Sequence, residues 1–276
     1  MSNDKQWTGE RLETAIFNET TVEHLHRYAF ALELVKDKTV LDIACGEGYG
    51  ANLLSKKAIA VTGVDSDTQV IDQATMKYKQ ANLRFIPGKA EKIPLGDKEF
   101  DIVISFETLE HLEDHEQMIA EIKRVLKPGG SLIISTPDKK NYTDKRGYKN
   151  PFHKKELYRE EFITLLRSHF IHVQLLKQQT TFSSVITTDD PGTMNMYTGN
   201  FEKIAEDKME DPLYYIALAS DEKLPLVQNS LFNGRSVFEE ALTKKEEMVT
   251  GTITYKLGHA LLLPAKWVRK MLKNKK

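Results

Sequence analysis

Val40-Leu-Asp-Ile-Ala-Cys-Gly-Glu-Gly-Tyr-Gly50 is the stretch from which the fold is read. Val40 to Ala44 is a short apolar run broken only by Asp42, the pattern of a strand buried on both faces of a parallel sheet. Gly46 and Gly48 turn the chain, and Ala51 to Lys57 is amphipathic. Strand, glycine loop and helix form the first half of a βαβ unit, which carries a nucleotide-like ligand at the strand's C-terminal end.

The glycine spacing alone leaves the ligand open. Gly46, Gly48 and Ala51 fit the dinucleotide fingerprint G-x-G-x-x-A, which suggests a dehydrogenase. Asp42 argues against it, because a carboxylate beside the loop repels a pyrophosphate. It suits a ligand with a cationic group, such as the amino group of S-adenosylmethionine (SAM). The next strand, Ala60 to Val64, ends at Asp65, placed to accept hydrogen bonds from both ribose hydroxyls. That position serves NAD and SAM alike.

Later stretches narrow the choice. Gly63-Val-Asp-Ser66 follows the glycine loop, and Ile93-Pro-Leu95 precedes Phe100-Asp-Ile-Val-Ile-Ser105. Glu107-Thr-Leu-Glu-His-Leu112 and Leu126-Lys-Pro-Gly-Gly130 come next. In this order and spacing the chain resembles class I SAM-dependent methyltransferases over roughly residues 20 to 220. The resemblance implies a doubly wound α/β fold with a seven-stranded, mostly parallel sheet of order 3-2-1-4-5-7-6 and an antiparallel last strand. It implies SAM as cofactor, held by Asp42, Ala44, Gly46, Gly48, Asp65 and Ser66. Ala90, Glu91, Phe106 and Glu107 complete that set, with Arg27 or Tyr28 from a preceding helix. One departure stands out. Similar methyltransferases often carry Asp at the place of Lys89 to bind the adenine amino group, and a lysine cannot accept that bond. Adenine is then left to backbone groups near Ala90, with Glu91.

The bulk numbers exclude several classes. The chain has 276 residues, 40% of them hydrophobic, enough for one large domain with an appendage. A net charge of −1 supplies no global field for nucleic acid. The single cysteine, Cys45, rules out an internal disulfide and fits a reducing compartment. Residues 1–6 lack the apolar core of a signal peptide, and no apolar run approaches membrane-spanning length. A cytoplasmic location follows as the expectation.

Residues 1–19 read as a wrap around a domain spanning 1–220. Thr20-Thr-Val-Glu23 signals a helix start, and the helix runs to about Val35. Its His24, His26, Arg27 and Tyr28 are either a solvated face or a lid over the cofactor. Further helices are expected at Thr68 to Lys79, His115 to Leu126 and Lys155 to His169. Leu83 to Ile86, Ser131 to Ser135, Ile171 to Leu176 and Pro212 to Ala219 are expected as strands. The segment 180–211, between strands six and seven, is far longer than a hairpin loop. It should overhang the substrate side, with Met194, Met196 and Tyr197 as an apolar wall. The alternative is a surface excursion with a small helix at Phe201 to Lys208. Residues 221–276 read as a helical, basic appendage. Its last part, 256–276, interleaves apolar groups with seven basic ones, a pattern for peripheral contact with an anionic membrane or for a packed C-terminal helix.

Methyl transfer needs in-line placement of the acceptor more than it needs chemical groups. An alcohol acceptor still has a proton to lose, and His111, leaving the fourth strand, is the first candidate base. His153, in Asn150-Pro-Phe-His153, and Glu110 follow. His111 reads equally as a helix-start residue bonded to nearby backbone. No metal ligand is assigned, since no Cys/His cluster is present; Asp138 with His153 is the one pair that could hold a divalent ion. The partner is then a small-molecule or glycan acceptor, with O-methylation of a sugar of a bacterial surface glycan or its precursor placed first. A quinone or lipid methyltransferase, and a non-catalytic SAM-binding partner of a glycosyltransferase, are the alternatives. A nucleic-acid partner is disfavoured because Ser105-Phe-Glu-Thr108 lacks the Asn/Asp-Pro-Pro-aromatic motif of DNA amino methylation. Dehydrogenase comes last.

Overall fold

The computed structural model describes residue 14 and residues 19–180, 184–188, 196–199, 204–207 and 212–258. The expected N-terminal wrap and the tail from 259 onward therefore lie outside the described residues, Thr14 excepted. The chain runs through α1 (Glu19–Leu34), β1 (Thr39–Ile43), α2 (Tyr49–Leu54), β2 (Ala60–Asp65), α3 (Thr68–Lys77) and β3 (Leu83–Pro87). It continues through β4 (Phe100–Phe106), a 3-10 turn at Leu109–His111, α4 (His115–Val125), β5 (Leu126–Pro137) and a π turn at Lys140–Asp144. Then come α5 (Arg159–Arg167), β6 (His172–Thr180), β7 (Ser184–Thr188), β8 (Met196–Gly199), β9 (Ile204–Asp207), β10 (Tyr214–Ser220), β11 (Ser230–Phe232) and α6 (Arg235–Gly251).

The helices start where side chains satisfy the first backbone amides. Asp67 caps α3 by accepting from the Gln69 and Val70 amides, and Asp114 caps α4 by accepting from Gln117. In α4, Met118, Ile119, Ile122 and Val125 recur at helical spacing and are buried together. α4 ends at Val125, and Leu126 turns extended at once, so β5 takes in Lys127-Pro-Gly-Gly130, expected only as a helix stop.

The main sheet has order β11-β7-β6-β10-β5-β4-β1-β2-β3. Strands β3, β2, β1, β4 and β5 are mutually parallel, and β10 lies antiparallel between β5 and β6. Through β6 this is the expected order 3-2-1-4-5-7-6. The sheet does not stop there: β7 folds back antiparallel on β6, and β11 pairs antiparallel with β7. It has nine strands instead of seven. The start of the expected insertion supplies one and the expected appendage the other. Ile204–Asp207 is a strand paired with β8, not part of a helix over Phe201 to Lys208. Met194 lies outside the described residues, as do the side chains of Met196 and Tyr197.

Alternate residues of each central strand feed two cores. Leu41 and Ile43 of β1 pack with Val103, Leu132 and Ile134 against α4 and α5. Val40 packs with Ile102, Ile104, Ile133 and Ile216 against α1 and α2. Burying each such side chain stabilises the fold by roughly 1.5–3 kcal/mol. The order reverses between β1 and β4, and such a switch point opens a crevice at the strands' C-terminal ends.

Candidate active site

A cavity of about 420 Å³ fills that crevice, within the range of small-molecule sites. Ala44 and Gly46 from the loop after β1, Asp65 and Ser66 from the end of β2, and Ala90 and Glu91 after β3 line it. Phe106, Glu107 and His111 after β4 close another side, and Tyr28 comes across from α1. All ten were expected from the sequence.

Two lining residues take a left-handed backbone. Ala44 and Glu107, neither of them glycine, have φ of 58° and 52°, and such left-handed residues gather where a surrounding structure needs them. Gly48 has φ 78°, and a Cβ there would lie 2.6 Å from the Phe85 ring. Gly48 thus shapes the loop without lining the cavity. Asp65 fastens the loop to β2: the Gly46 amide donates to its Oδ2 at 2.9 Å and the Asp67 amide to its Oδ1 at 3.0 Å.

Three expected cofactor contacts act from behind the wall. Asp42 is only 1% exposed and accepts from the Tyr28 hydroxyl, whose oxygen lies 3.4 and 3.3 Å from its two carboxylate oxygens. Burial pushes the Asp42 carboxyl up to about 7 against the pull of the Tyr28 hydroxyl, with the Asp65 charge adding to the rise. Tyr28, not Asp42, therefore faces the cavity. The Tyr28 ring meets Tyr49 and Phe106 edge-on, with centroids 5.5 and 5.1 Å apart. Arg27 is likewise buried: Nε donates to Gln178 Oε1 at 2.8 Å, and its guanidinium lies 4.5 Å from the Tyr214 ring centroid. Its Nη2 is 3.6 Å from Glu107 Oε1, so Arg27 supports a lining residue. Gly48 is the third.

His111 is the cavity-facing member of the expected catalytic set, and the other two stand behind it. Its Nδ1 is 3.1 Å from the Phe152 carbonyl, which can only accept, so the network assigns the proton to Nδ1. Glu110 is buried, accepts from Thr136 Oγ1 through Oε2 at 3.1 Å, and presents Oε1 3.9 Å from His111 Nε2. Burial first, then the charge of Glu107, raises the Glu110 carboxyl well above the ordinary carboxylate value. The His153 ring stands edge-on to His111 with centroids 5.1 Å apart, and its Nδ1 is 2.6 Å from Glu156 Oε1. The Lys154 and Lys155 amides donate to the Glu110 carbonyl at 2.8 and 3.1 Å, which ties the Asn150–His153 segment to the turn after β4. The Asp138 carboxylate accepts from the Asn141 amide side chain.

Sequence reasoning missed several wall residues. Tyr49, Thr108 and Lys154 line the cavity, as does His24, whose Nδ1 meets the Tyr49 hydroxyl at 2.9 Å. The position of Tyr49 inside the glycine loop was a usable signal; Lys154 carried none.

Residues 41–134 match the family model described as Methyltransferase domain. Over these residues the chain carries a methyltransferase domain. It is 36% identical over 138 residues to a Mycolicibacterium smegmatis protein named a probable S-adenosylmethionine-dependent methyltransferase, covering 50% of this chain and 53% of that one. It is 36% identical over 104 residues to the ubiquinone biosynthesis O-methyltransferase of Coxiella burnetii, covering 37% of this chain and 44% of the relative. The chain thus spans about half the length of the curated relatives it matches. A crystal structure of a SAM-dependent methyltransferase from Thermotoga maritima shares the fold, with a TM-score of 0.54, 21% identity, and coverage of 74% of this chain and 91% of that one.

SAM is the cofactor of the methyltransferase domain, and the cavity residues fit it. Asp65 brings a carboxylate to the cavity wall, an acceptor that suits the ribose hydroxyls. Ala90 and Glu91 line the cavity after β3, where the sequence leads one to expect the adenine. Lys89 is there too and offers only donors, so the departure seen in the sequence persists in the fold. When bound, SAM would supply an electrophilic methyl group, and the cavity residues named above would hold it.

Proposed function

We propose that the chain is a methyltransferase that O-methylates a small hydroxylated acceptor, a sugar of a surface glycan or its precursor. The observation that carries this reading is the polar end of the cavity, where Glu107, Thr108, His111 and Lys154 gather beyond the donor-binding loop. An acceptor rich in hydroxyls can add hydrogen bonds to these groups, whereas an apolar acceptor would displace their water without replacing its bonds. The acceptor hydroxyl is activated at the Glu110, His111 and His153 group, of which His111 reaches the cavity.

The insertion 180–211 sets acceptor choice in this reading. It leaves β6 at Thr180 and the chain re-enters the sheet at Tyr214, which pairs with Gln178 and with Pro137 at the C-terminal end of β5, so both ends lie at the sheet edge on which the cavity opens. Replacing 189–211 by a short turn should abolish turnover of the natural acceptor and leave SAM affinity within twofold.

A second reading, methylation of a quinone or lipid, is favoured by one observation: the relative named a ubiquinone biosynthesis O-methyltransferase. Labelled SAM incubated with nucleotide sugars, lipid-linked saccharides and quinols separates the two. Label in a saccharide supports the glycan reading. Label confined to the quinol overturns it. SAM binding with no label in any acceptor points instead to a non-catalytic partner.

A further inference from the structure

We propose that Glu110, His111 and His153 form a divalent metal site that binds the acceptor hydroxyl, an inference that rests on the reading of methyl transfer to an oxygen. Two imidazoles and a carboxylate offer ligand atoms that all lie within 4.8 Å of one another. Metal bonds of about 2.0–2.2 Å require ligand atoms no more than about 4 Å apart, so the widest pair closes by roughly an ångström on binding. His111 Nε2 and Glu110 Oε1 already stand at 3.9 Å.

Each ligand is held from behind by its other polar atom. His111 Nδ1 meets the Phe152 carbonyl, His153 Nδ1 meets Glu156, and Glu110 Oε2 takes the Thr136 hydroxyl. The ligand atoms are then Nε2 of each ring and Oε1 of the carboxylate. A carboxylate or carbonyl behind each ligating imidazole is the arrangement that orients such rings and raises their basicity. The Asn150 amide, 3.1 Å from His153 Nε2, gives way when the ion binds. Two imidazoles with one carboxylate select first-row ions such as Zn²⁺, Mn²⁺ or Co²⁺ over Mg²⁺ and Ca²⁺, which prefer all-oxygen sites.

The positions not taken by protein face the cavity past His111. An acceptor hydroxyl bound there loses its proton to water at the cavity mouth, because the ion lowers its pKa. The oxygen lone pair then forms the O–CH₃ bond while the CH₃–S bond breaks. The electron pair stays on sulfur, which leaves as a neutral thioether. His111 acts in this step as a ligand, and the ion takes over the activation a free base would provide.

The test is Co²⁺ titration of the metal-stripped full chain, without donor or acceptor, read by visible d–d absorption. One equivalent should bind, and Zn²⁺ should displace it. His153→Ala and His111→Gln should each weaken binding at least tenfold, and Glu156→Gln should weaken it in the same direction. His169→Ala, a surface histidine paired with Glu116, should leave it unchanged. Thermal melts of each variant separate lost ligation from lost folding. Absence of d–d bands at millimolar Co²⁺, or equal binding by folded His111→Gln and His153→Ala, overturns the site. Metal binding with no methylation of any hydroxyl acceptor overturns the function reading instead and leaves the site standing.

Discussion

Asp65 and Asp42 show how two carboxylates twenty-three positions apart take opposite roles at one loop. Asp65 lines the cavity and holds the loop amides, so removing it costs both a ligand contact and the loop's anchor. Asp65→Ala should lower SAM affinity at least tenfold, about 1.4 kcal/mol, by calorimetry, with Asp65→Asn in between. Asp42 is buried behind Tyr28 with its carboxyl raised to about 7. A raised acid favours folding while it stays protonated. Its contribution is whole below the ordinary value near 4 and is lost as pH climbs through about 7. Asp42→Asn should therefore match the parent in melting temperature near pH 4 and gain over it up to pH 8. The gain should be a few kcal/mol, no more than about 4. An equal effect at both pH values would show that the carboxylate is not the source of the cost.

At the scale of elements, the added sheet edge is pinned by a side chain from α1. His26 Nδ1 meets Ser184 Oγ of β7 at 2.6 Å, and Nε2 meets Ser230 Oγ of β11 at 2.9 Å. Burial first, then the charge of Arg27, lowers the His26 ring to about 4. The fold holds the neutral ring, so stability from this group is lost as pH falls from the ordinary 6.5 toward 4. That is the opposite sign to Asp42. Amide exchange, corrected for intrinsic pH effects, should show β7 and β11 losing protection between pH 7 and 5 while β1 and β4 keep theirs. His26→Gln should flatten that pH dependence. A uniform loss across all strands would place the switch elsewhere.

For the whole molecule, the question is where the folded unit ends. Residues after 220 were expected as a separate appendage, yet Val227 and Val237 are buried and β11 completes the sheet. Beyond Val237, α6 is largely exposed, including Leu242 and Met248 at 66% and 69%. A chain ending at Ser220 should unfold at least several degrees below one ending at Gly258, since it loses two buried valines worth roughly 1.5–3 kcal/mol each and uncovers β7. Equal melting temperatures would show that β11 only decorates the edge.

Much of this molecule was legible along the chain because its signals are local. Apolar runs such as Val40 to Ala44 and Phe100 to Ser105 bury on both faces wherever they pair, and glycines at 46 and 48 accept the positive φ the turn needs. Those signals marked the central strands and the glycine loop, and the family resemblance they carry implied the sheet order from β3 to β6 and ten residues of the cavity wall. The rest depends on contacts between residues distant in sequence. Asp42 withdraws behind Tyr28 because α1 crosses the loop, and no spacing within the glycine stretch encodes that crossing. The β7 and β11 edge needs a histidine from α1 to satisfy serines more than 150 residues away. His153 meets Glu110 and His111 where the Lys154 and Lys155 amides bond the Glu110 carbonyl and the His111 ring bonds the Phe152 carbonyl. A strand's burial is set by its own side chains, but the meeting of three polar groups is set by backbone bonds between loops, and only the tertiary structure decides those.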